Sequence, residues 1–398
     1  MKVLSTFKAV AAAVAVVCLC VLSGCSSRQS DQAAIPVFDV ENIMANIEPV
    51  NLSEYASDID YYPLETTENS LVNGSIINNQ IAPAGNGVIL YISNSSNVPM
   101  AFDHKGKFIG RVGTHGRTSS EFQIVYRVLP TEDGVELVDY DKIMLYDNEY
   151  NFVRSFPITF NFGDICKTEK GNYISLASNA LKDKHLKVLD ASGNEIFNRT
   201  IEELGIKPAP VKDETESDEP VMLTFKAVAQ KCLFFDVDGD ACIYFTDNKD
   251  TVYTILESGK LAGRYAVNYG KYDDGVSLNK FIFETDRFIA SRFMFNFSKY
   301  PNIDKKYRFL YFIHDKSTGK TRGMKVVDDQ SVDAAFRNDI DGGLPFFPMA
   351  TGNGKMYQLV SSIKFMDAAD ACGSAKMKAV AATLTEESNP VLVVATLK

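Results

Sequence analysis

Asp103, Asp147 and Asp190 stand 44 and 43 residues apart, and each opens the same kind of turn. In "FDHKGKFIG" (102–110), "YDNEYNFVR" (146–154) and "LDASGNEIF" (189–197), the aspartate side chain is placed to cap the turn, and in the first and third a glycine is placed to take its left-handed position. The same phase continues at longer intervals in "TILESGKLAG" (254–263) and "IHDKSTGKTRG" (313–323). Between the turns lie short apolar, β-branched or aromatic runs bounded by Asp, Asn and Gly. They include "GVILYISNS" (87–95), "GVELVDY" (134–140), "NYISLAS" (172–178), "ACIYFTD" (241–247), "FLYFIHD" (309–315) and "KMYQLVS" (355–361), all read as strands. No long amphipathic helix is read beyond the N-terminal segment.

A recurring unit of this length is close to one four-stranded propeller blade. Five such units and a closing one predict an all-β fold, a six-bladed β-propeller closed by the N- and C-terminal strands. "DIDYYPLE" (58–65) and "NPVLVVATLK" (389–398) are the expected partners in the shared last blade, which would leave the ring without an open seam. A pair of β-sandwiches is the alternative, but it does not account for the constant phase of the Asp turns. The segment "KPAPVKDETESDEP" (207–220), rich in acids and prolines, reads as a solvated surface loop.

The N-terminus constrains location. Lys2 and Lys8 flank a basic start, an apolar run extends from Ala9 to Leu22, and Leu22-Ser23-Gly24-Cys25 closes it with small residues before a cysteine. This is the pattern of a secretory signal whose removal leaves a lipid on Cys25. The expected organisation is a lipoprotein signal peptide (1–24), a polar tether (25–35) and the propeller (36–398). Ser26 and Ser27 follow the cysteine, which favours the outer membrane, on its periplasmic side or at the cell surface. The net charge of −10 argues against nucleic-acid partners. Four cysteines remain beyond Cys25, too few for a disulfide framework and without a metal-binding Cys-x-x-Cys pair; a Cys232–Cys242 bridge and buried free thiols are both open.

Several longer pieces carry a resemblance: "LSEYASDIDYYPLETTENSLV" (52–72), "AFDHKGKFIGRVGTHGRTSSEF" (101–122), "NDIDGGLPFFPM" (338–349) and "EESNPVLVVATLK" (386–398). Together the chain resembles the six-bladed β-propeller lipoproteins of the Bacteroidota, relatives of the NHL-type propellers. That resemblance implies fold and envelope location rather than chemistry. In the family the loop after the first Asp turn usually reads Gly-x-Gly-Pro-Gly-Glu-aromatic. Here Arg117, Thr118, Ser119 and Ser120 stand between Gly116 and Glu121.

Two stretches draw attention as ligand sites. "GRVGTHGRTSSEF" (110–122) has the glycines of a phosphate loop but neither its spacing nor its Lys-Ser/Thr, and "EFQIVYRVLP" after it reads as strand, not helix. Arg111, His115 and Arg117 remain candidates for an anionic ligand at a propeller mouth. In "NDIDGGLPFFPM", Asp339 and Asp341 are candidate paired carboxylates beside Phe346 and Phe347, or else part of a tight loop pinned on the core. Asp236, Asp238, Asp240 and Asp247 match positions 1, 3, 5 and 12 of a calcium loop, but Ala241 replaces the required glycine and no helices flank it. A hairpin turn is the simpler reading, so no cofactor or metal is expected. No nucleophile–base pair stands out. The expected function is a membrane-anchored, non-catalytic propeller that binds an envelope protein or glycan ligand, with a hydrolase or lyase acting on a glycan or peptide as the alternative.

Overall fold

The computed structural model describes residues 35–72, 78–158, 165–179, 183–200, 203, 232–237, 239–245, 249–326 and 334–398. The expected signal segment, Cys25, the expected tether up to residue 34, the insert at 207–220, Asp238 and Asp247 lie outside the described residues.

Six antiparallel sheets succeed one another along the chain. They are blade 1 (79–111), blade 2 (127–157), blade 3 (165–200), blade 4 (232–268), blade 5 (276–324) and blade 6, in which 350–360 and 391–397 are joined by Ala56–Pro63. The first strands of neighbouring blades touch each other and so line a hub, while fourth strands lie on the rim. The protein is a six-bladed β-propeller. The blades stack face to face, so second and third strands are covered on both sides: Gly134–Val138 is buried throughout and Phe309–Asp315 nearly so. This is why the sequence shows continuous apolar runs there rather than strict alternation.

Because strands alternate in direction, all first-to-second and third-to-fourth turns fall at one end of the blades, the turn face. The remaining connections fall at the other end, the loop face. The Asp turns form the third-to-fourth connections as expected. Asp103 Oδ1 accepts from the amides of Lys105 (2.8 Å) and Lys107 (2.9 Å), Asp147 Oδ1 from Glu149 and Asn151, and Asp190 Oδ1 from Ser192 and Asn194. Gly106 and Gly193 take φ of 82° and 86°, while blade 2 places Tyr150 in this region at φ 64°. Blade 6 has no such turn because its third strand runs to the C-terminus and its fourth comes from the N-terminal part of the chain. The closure pairs Val391↔Pro63 through Leu397↔Ala56, with Val393 opposite Tyr61.

Two features were not visible in the sequence pattern. The first is a strap on the rim. Val37–Asp39 adds a parallel fifth strand to blade 4, helix α1 (Val40–Ala45) crosses to the next blade, and Ile47–Glu48 adds a parallel fifth strand to blade 5. Asp39 caps α1 by accepting from the Asn42 amide (2.8 Å). Phe38, Val40 and Ile43 are fully buried, and Arg322 pairs with Glu48 (3.1 Å) and with Glu54. The approach to blade 5 is close: a Cβ on Gly323 would lie 2.8 Å from Ile47 Cγ1 and 2.9 Å from the Ile43 carbonyl oxygen.

The second is a helical insert between the second and third strands of blade 6, on the loop face. Helices α2 (Ser362–Ala371) and α3 (Ala375–Ala381) start at Ser361 and Ser374, whose hydroxyls accept from the amides of Lys364 and Met377. Phe365, Ala369 and Met377 bury the inner face. Helices this short carry too few apolar positions for a periodic signal.

Among the described residues Cys166 and Cys242 are buried free thiols and Cys372 is a half-buried one. Cys242 is free and its pKa is pushed up to about 12 by burial. Strand register puts Cys232 opposite Phe245 and Cys242 opposite Phe235, three residues apart along the ladder and beyond disulfide reach.

His314 gives the rim a pH dependence. It lies 8% exposed in blade 5, its Nδ1 2.8 Å from Thr321 Oγ1 and its ring 6.0 Å from Phe38 of the strap. Burial lowers its pKa, with Asp315 and Glu284 opposing and Lys316 reinforcing. The unfolded chain therefore binds this proton more tightly than the folded one. Stability is fully present above the ordinary histidine value of about 6.5 and is lost as pH falls through the lower folded value. The urea midpoint is expected to drop between pH 7 and pH 5 more steeply in the native protein than in His314→Gln; equal slopes would refute the assignment.

Candidate ligand-binding face

The loop at 110–122 joins the rim of blade 1 to the hub strand of blade 2 on the loop face. Its anion-binding amides are already occupied from within: Glu121 Oε2 accepts from Arg117 N and Thr118 N, both at 3.0 Å. Those amide bonds, that of Thr118 foremost, hold the Glu121 carboxyl below its usual range. The strand expected from residue 121 begins only at Arg127. The cause is Asp139, 2% exposed, whose carboxylate captures the amides of Gln123 and Ile124 at 3.0 Å each and holds that stretch away from a ladder. Arg111 donates to the Asn69 carbonyl (3.2 Å), and His115 is exposed with its ring edge-on to Phe122.

Asp339 and Asp341 accept from separate sets of donors. Asp339 accepts from Ser53 N (2.9 Å) and Ser53 Oγ (2.6 Å), tying the 338–349 loop to the 3-10 turn Leu52–Glu54 that leads into the closing strand. Asp341 accepts from Tyr61 Oη (3.0 Å), Asn338 Nδ2 (2.8 Å), Gly343 N (3.0 Å) and Ser374 Oγ (2.5 Å). Burial, then the Asp341 charge, raises the Tyr61 pKa, so its hydroxyl stays protonated as a donor. Phe346 is fully buried and Phe347 packs edge-on to Tyr311 at 5.6 Å.

The two described acids of the calcium-like stretch face different cations. Asp236, on the hub strand of blade 4, accepts from Gly239 N in a tight hairpin and lies 3.6 Å from Arg127 of blade 2; Asp240 pairs with Arg264 at 2.6 Å. A second pair between blades joins Lys167 on the first strand of blade 3 to Glu136 on the second strand of blade 2 at 2.5 Å. The four histidines lie apart: His104 in the blade 1 turn, His115 in the following loop, His185 in blade 3 and His314 in blade 5.

Between blades 4 and 5 the loop face opens into a cleft of about 590 Å³, within the range of small-molecule sites. Its apolar lining is Val276, Met294, Phe295 and Phe297. Behind Phe295 stand Tyr272 and Tyr300, with ring centroids 5.4–5.5 Å apart along Phe295–Tyr272–Tyr300, which stiffens that wall. The polar rim comprises Lys249, Asp273, Asp274 and Arg308. Lys249 lies 3.2 Å from Asp273 and 4.3 Å from the Tyr269 ring centroid, and donates to the Val276 carbonyl (3.0 Å). Lys299 pairs with Asp274 at 2.9 Å in an exposed, exchangeable contact. Arg308 is exposed, and among the described residues no carboxylate pairs with it. The sequence reading missed this cleft. Its available signal was "NFSKYPNIDKKYR" (296–308), with Lys299, Lys305, Lys306 and Arg308 against the single acid Asp304 in a chain of net charge −10.

Residues 35–396 match the family described as a domain of unknown function, DUF4934. The chain belongs to the DUF4934 family. No curated protein matches it. A crystal structure of a Bacteroides fragilis protein assigned as exported superposes on this DUF4934 protein with a TM-score of 0.62 at 16% identity, over 92% of this chain and 99% of that one. A Bacteroides caccae protein of unknown function gives 0.35 at 14% identity, over 63% and 83% of the two chains. The extracellular domain of a B. thetaiotaomicron one-component system gives 0.36 at 12%, over 70% and 36%. The first of these supports the propeller fold; the NHL relationship gains no support from them.

Proposed function

We propose that this DUF4934 protein is a non-catalytic binding module of the bacterial envelope, anchored in the outer membrane through acylated Cys25, with its ligand taken at the loop face. The observation that carries this reading is the cleft between blades 4 and 5, an apolar-floored cavity of about 590 Å³ with a charged rim on a rigid stacked scaffold. A hydrolase or lyase would need converging acid, base and nucleophile groups; the dispersed histidines and the engaged Asp339 and Asp341 favour binding instead. Arg111, His115 and Arg117 lie in the same loop-face layer and are proposed as a secondary contact zone for an envelope protein or glycan. The likeness to the B. fragilis protein assigned as exported supports export.

The test is affinity capture of the full-length lipidated protein from envelope extract, with mass spectrometry of proteins and glycans. Expected is recovery of a defined component in membrane fractions, and release of Cys25→Ser into the soluble fraction. Membrane retention of Cys25→Ser would overturn the anchor, and turnover of glycan or peptide substrates would overturn the non-catalytic reading.

A further inference from the structure

We propose that the cleft between blades 4 and 5 takes an amphiphilic organic anion, with its apolar body on Met294 and Phe297 and its acidic group at the Arg308 guanidinium. The inference rests on the loop-face binding reading and narrows it to a ligand class.

Three observations converge. The cleft floor is apolar, and Met294 is 39% exposed on a strand whose neighbours Phe293 and Phe295 are buried, so a sizeable thioether surface faces solvent without cover. Arg308 lines the same cleft, held beside Met294 because Phe295 N donates to the Arg308 carbonyl (3.0 Å) and Met294 pairs with Phe309 across the hairpin. Its planar fork suits carboxylate, sulfonate or phosphate oxygens. The stretch that contributes Arg308 is basic although the chain is acidic. Over a screening length of about 8 Å the local cations outweigh the distant net charge.

Asp273 and Asp274 on the facing wall set polarity. Their side chains are 75% and 82% exposed and, among the described residues, pair with Lys249 and Lys299 in exposed contacts, so they disfavour a second anionic group. A ligand with one acidic end and one apolar end satisfies both walls; a dianion charged at both ends does not. A fatty-acyl carboxylate and the C-terminal carboxylate of an apolar peptide share this chemistry.

The experiment is a fluorescence titration of the full chain in detergent with two probes of similar body. One is 8-anilinonaphthalene-1-sulfonate, the other neutral N-phenyl-1-naphthylamine. Expected is saturable single-site binding of the sulfonate, about tenfold tighter than the neutral probe, from one charge-assisted contact. Arg308→Gln is expected to lose that tenfold for the sulfonate only, with an unchanged thermal melt because Arg308 is exposed. Met294→Glu is expected to weaken both probes, with Phe297→Glu as the second variant if the first does not fold. Competition with decanoate and with N-acetylphenylalanine separates acyl from peptide-like sources, the stronger competitor naming the source. Equal affinity for both probes, unaffected by Arg308→Gln, would overturn the anion assignment and leave loop-face binding standing. Binding of neither probe, or binding indifferent to Met294→Glu and Phe297→Glu, would overturn the cleft itself as a site.

Discussion

Replacing Asp341 with alanine is expected to destabilise the protein by about 3–5 kcal/mol, read as a shift of the urea midpoint at constant m-value. The carboxylate is the common acceptor for Tyr61, Asn338, Ser374 and the Gly343 amide. These donors come from the closing strand, the 338–349 loop and the cap of α3, so one buried side chain joins three segments whose other polar ties, Lys376 to Asp58 and Asp60 and Asp339 to Ser53, lie at the exposed edge. Tyr61, Asn338 and Ser374 are 5%, 6% and 1% exposed, and removing their acceptor strands buried donors away from water. Asp341→Asn keeps one oxygen acceptor and should recover part of the loss. A stable Asp341→Ala protein that had lost only ligand affinity would show the opposite, namely that this carboxylate serves a ligand rather than the ring.

Phe38→Ala is expected to cost a similar 3–5 kcal/mol and to expose the strap to protease. Phe38 is fully buried, with ring centroids 4.8 Å from Phe312 and 5.3 Å from Tyr265, so alanine leaves a cavity between strap and rim. Its neighbour Val37 is 54% exposed, and Val37→Ala provides the control with little effect. Limited proteolysis should cut Phe38→Ala between residues 36 and 50 while leaving the control intact. Resistance equal to the control, with an unchanged urea midpoint, would mean the strap adds nothing to the fold.

The blade count was legible because it depends on local chemistry. An aspartate that accepts from amides two and four residues ahead needs no distant partner, so the turns at Asp103, Asp147 and Asp190 keep their phase in sequence as they do in space. The closing pair was also legible, since two strand-like termini left over from a repeat have one place to go. The candidate site was less so. The side chain of Arg117, a candidate anion contact, is exposed, but the backbone amides of Arg117 and Thr118 are taken by the loop's own Glu121, a link that composition does not reveal. For Asp339 and Asp341, two residues apart, the sequence leaves open both a carboxylate pair and a loop pinned on the core; the structure gives each its own donors, Ser53 for one and Tyr61, Asn338, Gly343 and Ser374 for the other. The cleft escaped notice because it is assembled from the connections at 249–250, 269–277 and 294–308, of which only the last has a distinctive composition.

The sequence by itself determined the number of sheets, the turns between their outer strands and the way the ring ends, because those follow from short-range hydrogen bonding and from the saturation of strand edges. Tertiary structure alone decided that residues 37–48 run along the rim of blades 4 and 5, and that Arg308 shares a cavity with Met294 and the Asp273–Asp274 wall. Those outcomes depend on surface complementarity between segments up to 200 residues or more apart in the chain, where two- and three-residue strands carry no periodic signal of their own.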